Sequence, residues 1–267
     1  MRARRRRGTV RNGIIVIAFA ILYTFALPSV ALGGVWTLHP AGNGPNARAQ
    51  WKANVGEVDS DGIGHQALFM QKTNDSQSRG FAVAVIRGLA GQPASAITSL
   101  SWDAPNPATN PNGSYCGTSP HWQISTKSPA GVKSSGGFGT CGAQLHSASA
   151  MTPLMWRHDT CSIANGCLAG LDPTAIISSL AIVYEDGNDL NAQGYILLDN
   201  ITVVTSTMGS HTWTSAQDNA TASIQIGASM ALADDVTDLL NDLLDMFPSV
   251  PITDWTFYPA VDLLPLP

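Results

Sequence analysis

The chain predicts an all-β fold, an antiparallel β-sandwich followed by a C-terminal amphipathic helix and an extended arm. Three observations carry this expectation. Short segments of alternating or continuous apolar character recur, separated by clusters of Gly, Pro, Asn and Asp. Charge is scarce at 12%, and the 267 residues include only two glutamates, Glu57 and Glu185, whereas surface helices rely on Glu, Lys and Arg. Four cysteines, Cys116, Cys141, Cys161 and Cys167, all follow an export-type leader.

Residues 1–33 read as a signal peptide. Arg2, Arg4, Arg5, Arg6, Arg7 and Arg11 precede the uncharged apolar run Gly13–Leu27, which Pro28 ends. The small residues Ser29, Ala31 and Gly33 then suit cleavage after Ala31 or Gly33. The competing reading is an uncut anchor, because Gly13–Val35 is long enough to cross a bilayer as a helix. Arginines stay on the cytoplasmic side, so both readings put the body of the chain outside, secreted or extracellular. A membrane partner follows only if the leader is uncut.

The leader conceals a strongly acidic protein. It holds six of the 14 basic residues and none of the 19 acids, which leaves 8 against 19, a net charge of −11. A nucleic-acid partner is thereby excluded. Residues 34–215 are nearly balanced in charge and long enough for one sandwich domain. Residues 216–267 carry eight aspartates and no Lys or Arg.

Within the body, Gln66–Lys72 is a short strand. Arg79–Arg87 is apolar on both faces, as a central strand is. Ala96–Asp103 alternates, with Thr98, Leu100 and Trp102 on one side, and Ala104–Gly113 is a loop. His121–Lys127 places Trp122, Ile124 and Thr126 inward. Ser134–Gly142 is a Gly-rich turn. Leu180–Glu185 and Tyr195–Val204 are later strands. In the tail, Leu232, Val236, Leu239, Leu240, Leu243, Leu244 and Phe247 share one face of a helix over 230–247, with aspartates opposite. Residues 230–267 therefore either pack on the sandwich or dock a protein partner.

An even cysteine count in an oxidising compartment implies two disulfides. Three pairings exist. Cys116–Cys141 and Cys161–Cys167 each enclose a Gly-rich or polar loop and are favoured. The rival, a zinc site with His121, His146 or His158, matches no standard ligand spacing.

The stretch Gly194-Tyr-Ile-Leu-Leu-Asp-Asn-Ile-Thr-Val203 resembles the closing strand of galactose-binding-like jelly rolls, the fold of many carbohydrate-binding modules. The resemblance covers roughly residues 50–205 of the chain. It implies a polysaccharide or cell-surface glycan as partner. It also implies a structural calcium at Asp199, with Asp59 and Asp61 as the first-strand ligands. A buried aspartate needs a partner, and backbone amides or Arg would serve as well as calcium.

Sugar binding calls for exposed aromatic faces and short polar groups. Tyr115, His121, Trp156, Tyr184 and Asp186 are the candidate ligand-binding residues. Tyr115 and Trp156 are expected in loops, and Trp102 and Trp122 in the core. Glu57-Val-Asp-Ser-Asp61 is similar to the Glu-x-Asp-x-x-Glu catalytic strand of jelly-roll glucanases but has Gly62 where the last glutamate belongs. There is no Gly-x-Ser-x-Gly elbow and no His-x-x-x-His pair. The expectation is a binding module without a catalytic set. The alternatives are an interaction protein docking through its acidic tail, or a glycoside hydrolase.

Overall fold

The structure is a computed structural model. It describes residues 36–44, 47–58, 65–72, 80–107, 119–141, 144–152, 155–185, 194–216, 218, 243, 246–247, 255–257 and 261–262. Contacts divide the chain between Gly34 and Val35, and everything below concerns the unit that begins at Val35. The leader, with its cleavage region, lies outside the described residues, as does most of the 230–247 helix.

Fourteen strands are described. They are β1 (Thr37–Asn43), β2 (Ala47–Ala53), β3 (Gln66–Lys72), β4 (Phe81–Arg87), β5 (Ile97–Pro105), β6 (His121–Lys127) and β7 (Lys133–Phe138), then β8 (Leu145–Ala148), β9 (Trp156–Ser162), β10 (Ile176–Tyr184), β11 (Tyr195–Thr205), β12 (Gly209–Trp213), β13 (Trp255–Phe257) and β14 (Val261–Asp262). One sheet runs β13-β1-β4-β10-β6-β7. The other runs β14-β2-β3-β11-β5-β9-β8, with β12 paired to β11. All pairings are antiparallel except β14 with β2. This is the all-β sandwich that the alternation in the sequence implies.

The inner faces supply the core. Leu100, Trp102 and Ala104 of β5 face Trp122 and Ile124 of β6. The rings of Trp102 and Trp122 stack across the sheets with centroids 4.8 Å apart. Each such ring buries more apolar surface than an aliphatic side chain does.

The doubly apolar run of β4 has a direct cause. Ala82, Ala84 and Ile86 enter the inter-sheet core. Val83 and Val85, on the opposite face, are covered by Leu243 and Met246 of the C-terminal helix. Phe247 N–H donates to the Leu243 carbonyl at 2.8 Å, the helical pattern, and its ring lies 4.4 Å from that of Phe81. The arm then adds β13 to the edge of β1 and β14 to the edge of β2. The described part of the tail is thus built into both sheets, which covers edges that would otherwise invite pairing with other chains.

Two local expectations change. Ser134–Phe138, the first part of the segment Ser134–Gly142 read as a turn, belongs with Lys133 to an edge strand hydrogen-bonded to β6. Its Lys-Ser-Ser-Gly-Gly run carries no apolar alternation, because an edge strand buries little. Trp156, expected in a loop, begins β9.

Candidate functional site

The site grows out of an irregularity in β11. Opposite β5 the register slips between Asp199 and Thr202, the mark of a β-bulge. Within it Asn200 adopts φ 46°, left-handed backbone that Asn tolerates better than most residues. The bulge sends the Asn200 side chain onto the outer face of the sheet. There its Nδ2 donates to Glu57 Oε2 at 2.9 Å and to Asp103 Oδ2 at 2.8 Å. One amide group thus bridges two carboxylates.

Asp199 anchors the bulge. It is fully buried, and its Oδ2 accepts the Glu57 N–H at 2.7 Å while Oδ1 accepts the Asn200 N–H at 2.7 Å. Gly56 makes this approach possible, since a Cβ there would stand 2.6 Å from Asp199 Oδ2 and 2.0 Å from the Gln66 carbonyl oxygen. Glu57 is 1% exposed. Its Oε1 accepts hydrogen bonds from the hydroxyls of Ser149 and Thr152 and from the Thr152 N–H. Glu57 therefore ties the turn after β8 to the bulge. Burial, and then the hydrogen bond with the Asp103 carboxyl, hold its proton affinity above the ordinary carboxylate range.

Asp103 also faces His158. The two are register partners on β5 and β9, and His158 Nδ1–H donates to Asp103 Oδ1 at 2.6 Å. That hydrogen bond is the main reason the imidazole holds its proton more tightly than usual. Ser147 of β8 is the register partner of His158 on its other side. Asp103, His158 and Ser147 therefore stand in one row across three adjacent strands, on one face of the sheet.

Above this row lies a cavity of about 440 Å³. Asp103, His158, Ser147, Asn200, Thr202 and Thr214 give it polar walls, and Val58, Ala148, Ala150 and Met151 give it an apolar one. Its size falls within the range of small-ligand sites. The neighbouring residues of β8 and β9 point the other way. His146 Nδ1–H donates to Asp159 Oδ1 at 2.6 Å, Trp102 Nε1–H donates to Asp159 Oδ2 at 3.2 Å, and Arg157 pairs with the same carboxylate. This inward cluster fastens the edge strands to the core.

The sequence-derived candidates scatter. Tyr115, Asp186, Asp59, Asp61 and Cys116 lie outside the described residues. Tyr184 is fully buried in the inter-sheet core, so it offers no face to a ligand. Trp156 is 7% exposed and packs with Phe69, Tyr195 and Leu197, on the same outer face as His158 but below the surface. His121 belongs to β6 in the opposite sheet, its ring close over Gly137, where a Cβ would come within 3.0 Å. Asp199 is fully buried on the side of β11 that carries Tyr195 and Leu197, opposite Asp103, and it accepts backbone amides. Among the described residues no group of three His, Cys, Asp or Glu is placed to hold a metal ion.

Cys161 and Cys167 are disulfide-bonded, clasping the end of β9 to the turn beyond it. Cys141 is disulfide-bonded as well, and no described cysteine is free. Asp103, Ser147, His158 and Asn200 were not singled out by the sequence as a site. They come from four strands, β5, β8, β9 and β11, and no local spacing joins them.

Comparison with known proteins adds two solved structures to which the chain is similar, both family 11 carbohydrate-binding modules of Clostridium thermocellum. One is the module of the cellulosomal cellulase Lic26A-Cel5E, with 16% identity over 64% of this chain and 88% of that one and a TM-score of 0.34. The other is in complex with a beta-1,3-1,4-mixed-linked tetrasaccharide, with 15% identity, 66% and 91% coverage and a TM-score of 0.33. No family model and no curated protein matches the chain. No residue role is transferred from these structures.

Proposed function

We propose that this is a glycan-binding domain working outside the cytoplasm, with its ligand seat in the cavity over β5, β8, β9 and β11. The cavity carries the reading. Carboxylate, imidazole, amide and three hydroxyls converge on one side of it, and short apolar side chains line the other. A sugar ring has hydroxyls around its rim and C–H groups on its faces, and it needs both kinds of wall. Asp103 already accepts His158 and Asn200, and its remaining lone pairs suit ligand hydroxyls. Rigid strands, not loops, present most of these groups, which lowers the entropic cost of recognition.

Glycoside hydrolysis fits less well. Glu57, the acid that the sequence offers for it, is 1% exposed and hydrogen-bonded to Ser149, Thr152 and Asn200, so it presents no face to a scissile bond.

The test is retention of the purified protein on a panel of polysaccharides and on a glycan array, with and without calcium. Binding to at least one glycan is expected, weakened about tenfold or more, the equivalent of 1.4 kcal/mol, by His158→Ala or Thr202→Val. No retention on any polysaccharide would remove the reading.

A further inference from the structure

The chain enters the sandwich through a cluster of three rings. Trp36 stands just before β1, a strand of one sheet, while His211 and Trp213 lie two residues apart on β12, which pairs with β11 in the other. The Trp36 and His211 rings are parallel within 4°, with centroids 5.9 Å apart. Trp213 meets both edge-on, at 4.4 Å from His211 and 6.2 Å from Trp36. Trp213 is fully buried, and Trp36 packs against the same inter-sheet core. The cluster therefore ties the start of one sheet to a hairpin of the other. Its weak point is the imidazole. His211 Nε2 is buried and has no hydrogen-bond partner. A neutral imidazole tolerates this, because an unused lone pair costs less than an unused charged donor. A protonated one carries an N–H on both nitrogens, and the one at Nε2 meets no acceptor. The face of Trp36 attracts a cation, but a buried charged donor without a partner loses more than that attraction restores. β11 brings Val203 opposite His211 and the start of β1 brings Trp36, neither of which titrates. The turn after β12 brings Asp218, whose carboxylate already accepts the N–H groups of Thr214 and Ser215. Burial accordingly lowers the proton affinity of His211, against the weaker pull of Asp218.

We propose that Trp36, His211 and Trp213 form an acid-released clasp, which fastens the chain ahead of β1 to the β11–β12 hairpin and lets it go when His211 takes up a proton. Above 6.5, the ordinary value for histidine, the ring is neutral whether the clasp is closed or open, and the closed state holds. As pH falls from that value through the lowered one, the proton favours the open state, in which water reaches Nε2. Trp36 then leaves the core, and Trp213, held within it, stays. The sandwich persists, since β1 keeps its register with β4 along Thr37–Asn43 and the core around Trp102 and Trp122 holds no histidine. What the proton changes is the point at which the chain joins the sandwich, at Trp36 when the clasp is closed and at β1 when it is open.

The full protein is labelled with fluorotryptophan and followed by fluorine NMR across pH, with the Trp36 resonance assigned by Trp36→Phe. Histidine ring resonances are followed in parallel, with His211 assigned by His211→Gln. His211 is expected to titrate below 6.5, and the Trp36 resonance to move, with the same midpoint, to the position of a solvent-exposed tryptophan. Trp102 and Trp122 should not move with it, which separates release of the clasp from unfolding. His211→Phe, whose ring takes no proton, should keep Trp36 in its clasped position throughout, and His211→Gln should leave it exposed at every pH. A His211 that titrates at or above 6.5, a Trp36 resonance that ignores that titration, or one that still moves in His211→Phe would overturn the proposal. Movement of all the tryptophans together would overturn it as well. If His211→Phe does not fold, the titration of Trp36 against His211 in the unaltered protein decides alone.

Discussion

The carboxylate of Asp199 accepts the backbone N–H of Glu57 at 2.7 Å, across 142 residues of sequence. This contact joins the start of the β2–β3 connection to the bulge of β11, and it sets the floor on which Asn200, Asp103 and Glu57 meet. Replacing Asp199 by Asn would put an N–H₂ group against one of two backbone donors. A loss of roughly 1.5–3 kcal/mol in folding stability is expected, read from urea unfolding.

Because both oxygens of Asp199 already accept N–H donors, the aspartate has partners without a cation. Thermal unfolding with and without a chelator is expected to give the same midpoint. A midpoint that drops on chelation and returns with calcium would instead assign the cation to Asp199 together with Asp59 and Asp61.

Three groups with raised proton affinity pull stability down as pH rises, against the opposite pull of His211, whose affinity burial lowers. His158 holds its proton above its ordinary value of 6.5, chiefly through Asp103. Its contribution is complete below that value and is lost as pH climbs through the raised one. Glu57 and Asp159 are raised above 4.5 and 3.8, first by burial. Each adds a penalty that appears as pH rises from the unfolded value through the folded one. In all three the folded state binds more protons, so their contribution to the slope of unfolding free energy with pH is negative. Denaturation midpoints at successive pH values test this, and His158→Gln is expected to flatten the part of the curve above pH 6.5.

Trp102 serves both the core and a buried acid. Trp102→Ala removes the stack on Trp122 and the donor to Asp159, and should cost roughly 3–5 kcal/mol. Trp102→Phe keeps most of the apolar volume and strips only the N–H. It should cost less, about 1–3 kcal/mol, for the lost partner of a buried carboxylate. Equilibrium denaturation of the two variants separates packing from hydrogen bonding.

Truncation before Leu243 would uncover Val83, Val85, Ala181 and Val183 and leave the edges of β1 and β2 unpaired. A lower thermal midpoint and self-association on size exclusion are expected. A truncated chain that stays monomeric with an unchanged midpoint would return the tail to the role of a free docking element.

The amino-acid sequence by itself determined the sandwich, because strand alternation is a local property. Leu100 and Trp102 share a face in any strand that contains them, and β4 is apolar on both faces wherever it is placed. The sequence also marked Cys161 with Cys167 as a pair. It did not reveal that Trp156 and Tyr184 are covered, since burial depends on what lies opposite a strand. Only the tertiary structure decided the site. Asp103, Ser147 and His158 meet through the registers of β5, β9 and β8, and a slip of one residue would send each to the other face. Asn200 reaches the two carboxylates because a bulge holds it in left-handed backbone, a conformation set by the strands on either side.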